Sequence, residues 1–266
     1  MQKSWSDKTF VVTGGCSGIG LATVQQLLEH SSTVHVIDRQ SELPKALLEL
    51  QAKRLHFYPG TDVSSRQEVA ATFKKIFATS PVIDGLVNSA GVSPASGELL
   101  DTDETFHSNI SINLVGTWNV SSEILKRFQD EKKTHPDFQP YRSKAGVSGS
   151  CSIVNIGSTA SVQGYSAMGA YVASKHAVLG LTRSWAIDFA QFGVRVNLVA
   201  PGITRTPLQA QFDSPSRGDV VNETLKKIPL ARLAEPFEVA NTIVFLLGDE
   251  SSFTTGQALC VSGGYP

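Results

Sequence analysis

The stretch KTFVVTGGCSGIGLATVQQLLEHS, residues 8–31, joins two kinds of hydrophobic pattern through a glycine-rich turn. Its first part, 8–14, is a short apolar run ending in glycines, which indicates a buried strand of a parallel sheet. Its last part, 18–31, carries apolar residues at helical spacing, so one face can pack on a core. The stretch therefore predicts a strand, a tight turn and a helix in succession.

The same alternation continues along the whole chain. Further strands are predicted at 33–38, 55–62, 83–91, 151–161, 194–202 and 257–264. Helices are predicted between them at 43–53, 64–79, 101–130, 169–192 and 235–248. Because such alternation forms a parallel sheet covered by helices on both faces, we expect an α/β fold with a seven-stranded parallel sheet. No Pro/Ser-rich linker or internal repeat divides the chain, so a single doubly wound Rossmann-type domain over 1–266 is predicted.

Composition and charge exclude several classes of protein. The chain is 41% hydrophobic and 18% charged with a net charge of −1, which offers no electrostatic footprint for nucleic acid or an anionic membrane. Three widely spaced cysteines suit a reducing compartment, and no His/Cys/Asp set has metal-ligand spacing, so we expect no metal. The N-terminal segment lacks an apolar signal region and no apolar run approaches 18 residues. We expect a cytoplasmic protein.

Two connections are longer than usual for a compact domain. The segment 129–150 joins a helix to a strand and is polar and charged, so it is predicted to be a surface insertion away from the ligand edge. The segment 203–235 follows a strand and therefore rims the binding edge. It is the better candidate for a substrate lid.

The turn TGGCSGIG, residues 13–20, lies between the first strand and the first helix. A tight turn that feeds a helix N-terminus presents backbone N–H groups and a positive dipole end to a pyrophosphate. Glycines allow the backbone to approach such a ligand closely. The spacing Gly14-x3-Gly18-x-Gly20 differs from G-x-G-x-x-G, so a plain structural turn remains an alternative.

Asp38 strengthens the nucleotide interpretation because it ends the second predicted strand. An acidic side chain there would accept hydrogen bonds from an adenosine ribose and repel a 2′-phosphate, so NAD is expected rather than NADP. Arg39 could accommodate that phosphate, which keeps NADP open. Asp38 could alternatively cap the following helix.

Tyr171 and Lys175 are four residues apart and fall on one face of a predicted helix. A tyrosine has a pKa of about 10, too high for a base at neutral pH. A nearby ammonium would favour the phenolate and lower the pKa of Tyr171, so that it could exchange protons with an alcohol or ketone. A YxxxK spacing also arises by chance, so the pair needs support from its surroundings.

That support comes from several motifs in one order. They are TGGxxGIG, Asp38, Asp62-Val63, NSAG at 88–91, Asn113, Ser158, YVASK at 171–175 and PGITRT at 201–206. With them the chain resembles a short-chain dehydrogenase/reductase of the compact single-domain branch. The likeness spans nearly the whole sequence.

The resemblance implies a role for each matching residue. Tyr171 would be the general acid/base, Lys175 would tune it and bind the nicotinamide ribose, and Ser158 would hydrogen-bond the reacting oxygen. Asn113 would hold a water that links Lys175 to bulk solvent. The other implied cofactor contacts are Gly14, Cys16, Ser17, Gly18, Ile19, Gly20, Asp38, Arg39, Asp62, Val63, Asn88, Ala90, Gly91, Pro201, Gly202, Ile203 and Thr206. A turn serine at 158 and a helix-interior Asn113 remain the plainer alternatives.

The leading function is an NAD(H)-dependent oxidoreductase that interconverts a secondary alcohol and a ketone. An NADPH-dependent ketone or enone reductase and a non-redox cyclase or isomerase are alternatives on the same site. A nucleotide-binding regulatory protein without turnover is less favoured. Such a protein needs only the turn and Asp38, whereas this chain also has all four candidate catalytic side chains.

The substrate and the assembly are predicted from apolar residues. Segment 161–169 with Met168 would form one wall of an apolar pocket, which favours a hydrophobic, polycyclic or natural-product-like alcohol. The opposite wall would be formed by Leu208, Phe212, Val220, Val221 and Leu225. Apolar positions within 102–128 and 172–190 are compatible with the homodimers or homotetramers that the resemblance implies.

Overall fold

The structure, a computed structural model, describes residues 5–50, 53–94, 98–134, 151–210 and 225–265. Its centre is a sheet of seven parallel strands in the order β3-β2-β1-β4-β5-β6-β7. The strands are β1 Thr9–Thr13, β2 Thr33–Ile37, β3 Leu55–Tyr58, β4 Gly85–Asn88, β5 Cys151–Ile156, β6 Val194–Pro201 and β7 Ala258–Val261. This doubly wound, Rossmann-type α/β sheet confirms the predicted fold class.

Helices connect the strands. They are α1 Gly18–Glu29, α2 Lys45–Leu48, α3 Arg66–Thr79, α4 Asp103–Asn109, α5 Gly116–Thr134, α6 Gly169–Phe189, α7 Pro207–Ala210 and α8 Pro236–Leu247. A π-helical turn, Ile110–Val115, joins α4 to α5.

Two helix predictions need correction. The helix expected at 43–53 is only the short α2, in which Leu47 is the one buried residue, so little apolar surface holds a longer helix on the sheet. The segment expected to leave the fold at 129 continues as helix to Thr134, where Lys133 pairs with Asp130 one turn away. Residues 135–150 lie outside the described residues, so the predicted insertion keeps its status as a prediction there.

The core lies on both faces of the sheet, because successive strand residues point to opposite sides. Val11 packs with Phe73 and Ile153 in the layer covered by α3, α5 and α6. The next residue, Val12, packs in the layer covered by α1 and α8. Both valines are fully buried, and each buried side chain of this size contributes roughly 1.5–3 kcal/mol. Burial on two faces explains the uninterrupted apolar runs of the central strands.

The strand order places the predicted site residues along one edge. The chain winds outward in both directions from β1 and β4, and ligands bind such sheets at the carboxyl ends of the strands near this reversal. The turn at 13–20 follows β1, Asp38 follows β2, and 88–91 begins at the end of β4. None of the helices in the described ranges combines the length and hydropathy that crossing a bilayer requires.

The turn after β1 depends on close backbone contact between its glycines and the β4 end. A Cβ on Gly20 would lie 2.2 Å from the Gly14 carbonyl oxygen, and one on Gly14 would lie 2.8 Å from the Ala90 Cα. Gly14 also has a φ of +65°, which side-chain-bearing residues rarely adopt. The turn can therefore pack against β4 only with glycine at both positions.

We expect Gly20→Ala to lower the free energy of unfolding by about 1–3 kcal/mol, because the added methyl overlaps the Gly14 carbonyl. Gly180→Ala is the matched control, since Gly180 is also helical but its Cβ position has no atom within 4 Å. That control should be unchanged or stabilised by up to about 1 kcal/mol. Denaturant unfolding of both variants measures the difference, and equal effects would contradict the close packing of the turn.

Candidate active site

The first turn of α1 is suited to an anion. Its N-cap residue Ser17 makes no side-chain capping bond and the turn holds no acidic side chain, so no side chain of the helix's own first turn compensates its positive end. Thr206 closes over the turn, with its methyl 3.1 Å from the Cβ position of Gly18. Ile19 is half-buried in the same turn. A pyrophosphate fits this cradle, since backbone N–H groups at a helix start bind phosphate.

Asp38 lies at the end of β2 and is fixed against the same turn. One carboxylate oxygen accepts the backbone N–H of Cys16 at 2.9 Å, and the other accepts that of Gln40 at 3.0 Å. Burial and the neighbouring Asp38 carboxylate raise the pKa of the Cys16 thiol to about 12. The alternative that Asp38 caps α2 is wrong, because Pro44 is the N-cap residue of that helix. Arg39 is exposed beside it.

The residues expected near an adenine differ in exposure. The carboxylate of Asp62 is exposed and accepts the backbone N–H and the hydroxyl of Ser64 at 2.8 and 2.7 Å. Val63 is buried and lies 2.7 Å from the Cβ position of Gly116, at the start of α5. Val63 thus packs on α5, while Asp62 stays at the surface.

The NSAG segment ties three elements together. The side-chain amide of Asn88 donates to Ser121 in α5 and to Asn155 in β5, each at 2.8 Å. The backbone N–H of Ala90 donates to the hydroxyl of Thr13 at 3.1 Å, which fixes this segment to the end of β1. Asn88 therefore cross-links the scaffold behind the groove.

Asn113 occupies the π-helical turn Ile110–Val115. Its side-chain oxygen accepts the backbone N–H of Val92 at 2.9 Å, and its amide donates to the Val92 carbonyl and the Ser174 hydroxyl, both at 3.0 Å. Asn113 thereby joins the loop after β4 to α6. Single π turns inside helices are frequent at functional sites, because they redirect one side chain.

Lys175 is buried next to this cluster. Its ammonium donates to the Ile156 carbonyl at 2.8 Å and lies 5.7 Å from the centroid of the Tyr171 ring. Burial lowers the pKa of Lys175 to about 8. The Asn113 oxygen and the Lys175 nitrogen lie 3.2 and 3.6 Å from the Cβ position of Gly91, so both side chains reach the same point.

Tyr171 is half-buried on the same face of α6. Burial raises its pKa, a hydrogen bond from Ser158 opposes that effect, and the phenol of Tyr165 adds to it. The predicted lowering of the pKa of Tyr171 by Lys175 stays a prediction. The ammonium is engaged by a backbone carbonyl, and desolvation of the phenol dominates.

Ser158 has a structural role in the turn after β5, and its predicted role toward the reacting oxygen stays a prediction. Its hydroxyl oxygen accepts the N–H of Ala160 at 3.1 Å and caps the 3₁₀ turn Thr159–Ser161. The same hydroxyl is close enough to Tyr171 to oppose the rise in the pKa of the phenol. The alternative that Ser158 is a turn serine therefore agrees with its capping bond. That bond does not prevent the hydroxyl from also interacting with Tyr171.

Tyr165 was not singled out from the sequence. Its hydroxyl lies 2.6 Å from that of Thr159 and also accepts from Gln163. It belongs to the predicted substrate wall 161–169 and is close enough to affect the pKa of Tyr171. No short motif marks it, because the loop brings it near the site only after folding.

The segment after β6 rims the site. Pro201 ends β6, and the N–H of Gly202 donates to the carbonyl of Val261 in β7 at 3.0 Å. The Ile203 carbonyl accepts the N–H of Ala234 at 3.0 Å, so both ends of the predicted lid meet at its base.

The predicted substrate contacts in this region are only partly described. Leu208 in α7, Leu225 and Met168, the N-cap residue of α6, are each half-buried. Phe212, Val220 and Val221 lie outside the described residues. Across the described ranges, no three His, Cys, Asp or Glu side chains are grouped where they could hold a metal ion.

The chain resembles proteins of known activity over nearly its full length. A family model described as enoyl-(acyl carrier protein) reductase matches residues 14–266. A 2,5-dichloro-2,5-cyclohexadiene-1,4-diol dehydrogenase of Sphingobium indicum is 34% identical, over 98% of this chain and 97% of the relative. The 3-oxoacyl-[acyl-carrier-protein] reductase FabG of Thermotoga maritima is 32% identical, over 97% of each chain.

Solved structures agree with this sequence likeness. The crystal structure of levodione reductase superposes with a TM-score of 0.83 at 27% identity, covering 97% of each chain. The structure titled ElxO with NADP bound gives 0.82 at 30% identity, covering 97% of this chain and 98% of the other. The fold, the family model and these relatives lead to one conclusion: the chain belongs to the short-chain dehydrogenase/reductase family, whose members are nicotinamide-dependent oxidoreductases of alcohol- and ketone-type substrates.

Proposed function

We propose that this protein interconverts a secondary alcohol and a ketone with NAD(H), and that Tyr171 is its general acid/base. The observation that carries the proposal is the buried ammonium of Lys175, 5.7 Å from the centroid of the Tyr171 ring, with the Ser158 hydroxyl close enough to lower the pKa of that phenol. Ser158 follows β5, and Tyr171 and Lys175 lie in α6, so these groups share the carboxyl edge of the sheet with the turn that follows β1.

The chain's own groups move the proton. Burial raises the pKa of Tyr171, so the phenol is protonated at neutral pH and can give its proton to a ketone oxygen. In the oxidation direction the phenolate accepts the alcohol proton, stabilised by the Ser158 hydroxyl and by the charge of Lys175. A bound nicotinamide supplies the hydride acceptor or donor for the carbinol carbon. Asn113 holds the loop and α6 in register around these groups.

We expect Tyr171→Phe to lower kcat/KM by about 10²-fold or more, because the ring remains but the exchangeable proton is lost. The dissociation constant for the dinucleotide should stay within about twofold of the wild-type value, which fluorescence titration measures. Tyr58→Phe is the matched control and should retain turnover, because the hydroxyl of Tyr58 in β3 bonds to His35 in β2, and these two strands carry none of the candidate catalytic residues. Turnover retained by Tyr171→Phe, or lost only in the control, would contradict the assignment.

The choice of NAD rests on the fixed carboxylate of Asp38. Two backbone N–H groups hold it at the end of β2, so its negative charge cannot swing away from a ribose at this position. A 2′-phosphate placed there would meet a buried like charge. The related ElxO structure carries NADP by its title, and the exposed Arg39 keeps an NADP-dependent reductase as the alternative.

We expect Asp38→Ser to lower the ratio of kcat/KM for NAD over NADP by about tenfold or more, because the charge that disfavours the 2′-phosphate is removed. Glu42→Gln removes an exposed charge from the same loop and should leave the ratio unchanged. Initial rates with both dinucleotides measure the ratio. A wild-type preference for NADP would overturn the proposed cofactor.

The substrate is proposed to be a hydrophobic, cyclic or polycyclic secondary alcohol of the natural-product type, enclosed by a lid at 203–235. The half-buried Met168 and Leu208 support an apolar site. The Sphingobium relative is named for a ring diol, which supports a cyclic substrate. FabG is named for an acyl-carrier-protein substrate, so a ketone reductase acting on such a chain is the second candidate. A panel of cyclic alcohols and acyl thioesters distinguishes the two.

We propose that the chain forms a homodimer or homotetramer through the outer faces of α5 and α6. The cytoplasmic location stays a prediction. Trp118 on α5 and Ile187 on α6 are 50% and 79% exposed, unusual for side chains of this size on one layer. Sedimentation of the wild-type protein should give a mass above that of one chain. The Trp118→Asp variant should have a lower sedimentation mass, because a charge is placed in the proposed interface. Val82→Asp, an exposed valine elsewhere, should leave the mass unchanged. A monomeric wild-type protein would refute the assembly.

A further inference from the structure

The helix that carries Tyr171 begins without a capping side chain of its own. Its N-cap residue is Met168, whose side chain makes no hydrogen bond to the first turn, and the turn contains no acidic residue. The N–H groups of Gly169, Ala170 and Tyr171 have no carbonyl one turn earlier within the helix. Groups of this kind need an acceptor from a cap, from solvent or from another part of the chain.

Asp101 supplies that acceptor from a distant segment. A side-chain oxygen of Asp101 accepts the backbone N–H of Ala170 at 2.7 Å, across 69 positions of sequence. The same oxygen lies 3.7 Å from the Cβ position of Gly169. Ala170 is the second residue of α6. Its backbone N–H is one of the groups from which an N-cap side chain normally accepts a hydrogen bond. A carboxylate at this place also complements the positive end of the helix dipole.

Asp101 is itself held by the element that carries Asn113. The next residue, Thr102, is the N-cap of α4, and its hydroxyl accepts the N–H of Thr105 at 3.2 Å. From α4 the chain continues through the π turn that contains Asn113. Asp101 and Asn113 therefore bind α6 at two points from the same side, one at the helix start and one at Ser174.

We propose that Asp101 is a positioning residue that caps α6 from outside the helix and thereby sets the place of the Tyr171 hydroxyl relative to Ser158. The proposal rests on the proposed role of Tyr171. Tyr171 directly follows the N–H that Asp101 holds, so a change in the first turn moves the phenol first. A displacement of about 1 Å at a reacting group costs up to about 10²-fold in rate.

The effect should be confined to the first turn. Helix α6 is 21 residues long and packs on the sheet through Val178, Leu179 and Trp185, so its body does not depend on the cap. Lys175 lies one turn later and keeps its bond to the Ile156 carbonyl. The phosphate cradle and Asp38 are built from other elements. Loss of the cap should therefore change the chemical step while leaving dinucleotide binding intact.

The test compares Asp101→Ala with Asp101→Asn. We expect D101A to lower kcat by about tenfold or more, with the dissociation constant for NAD within about twofold of wild type. D101N should recover kcat to within about threefold of wild type, because its amide oxygen can accept the same bond. Asp103→Ala is the matched control, since Asp103 is an exposed acidic residue two positions away in the first turn of α4. If D101A does not fold, Asp101→Ser takes its place, because the shorter serine side chain does not reach the N–H of Ala170.

Three results would overturn the inference. They are a D101A kcat within twofold of the D103A value, equal losses in D101A and D101N, and a loss of NAD affinity in D101A that matches the loss of kcat. Equal losses in D101A and D101N would indicate a role for the charge of Asp101. A loss of NAD affinity in D101A would indicate a general structural role for the residue. Tyr171→Phe separates this failure from failure of the proposed function: if Y171F is inactive and D101A is normal, only the positioning role is lost. If Y171F stays active, the proposed function fails as well.

Discussion

The close approach of β1 and β4 at their carboxyl ends is the contact on which the site depends. Gly14 and Gly20 bring the first turn into backbone contact with itself and with Ala90. Thr13 then accepts the Ala90 N–H, so the turn and the NSAG segment form one rigid floor. A side chain at Gly14 would overlap the backbone of Ala90 after β4, and one at Gly20 would overlap the Gly14 carbonyl within the turn. The contact between the turn at 13–20 and the segment at 88–91 therefore holds together the two parts of the predicted nucleotide groove.

Burial governs the chemistry that stands on this floor. Lys175 is buried and Tyr171 is half-buried, and desolvation disfavours the charged form of each. It lowers the pKa of Lys175 to about 8 and raises that of Tyr171. The Ser158 hydroxyl works in the opposite direction on Tyr171, because a donated hydrogen bond stabilises the phenolate. Burial thus sets the direction of both pKa shifts.

The local patterns were enough to predict the sheet, because each depends on residues near one another in sequence. The apolar runs of β1, β4 and β6 reflect burial on both faces, and the helical spacing of α3 and α8 reflects one buried face. The prediction failed where a pattern lacked tertiary support. The helix after β2 is short because little of it is buried, and the long helix before β5 contains a π turn that no periodicity revealed.

The sequence by itself determined the order of strands and helices, the glycine turn and the grouping of Tyr171 with Lys175, because these are set by periodicity and by side-chain size. Only the tertiary structure decided which groups hold them. Asp38 is fixed by the N–H of Cys16, and Ala170 is held by Asp101, through hydrogen bonds that cross 22 and 69 positions. The fold also placed Tyr165 near Tyr171 and set the balance of burial over charge in the pKa of the phenol. Such contacts have no local signature, since their strength depends on distances and desolvation that exist only once the sheet has brought separate segments together.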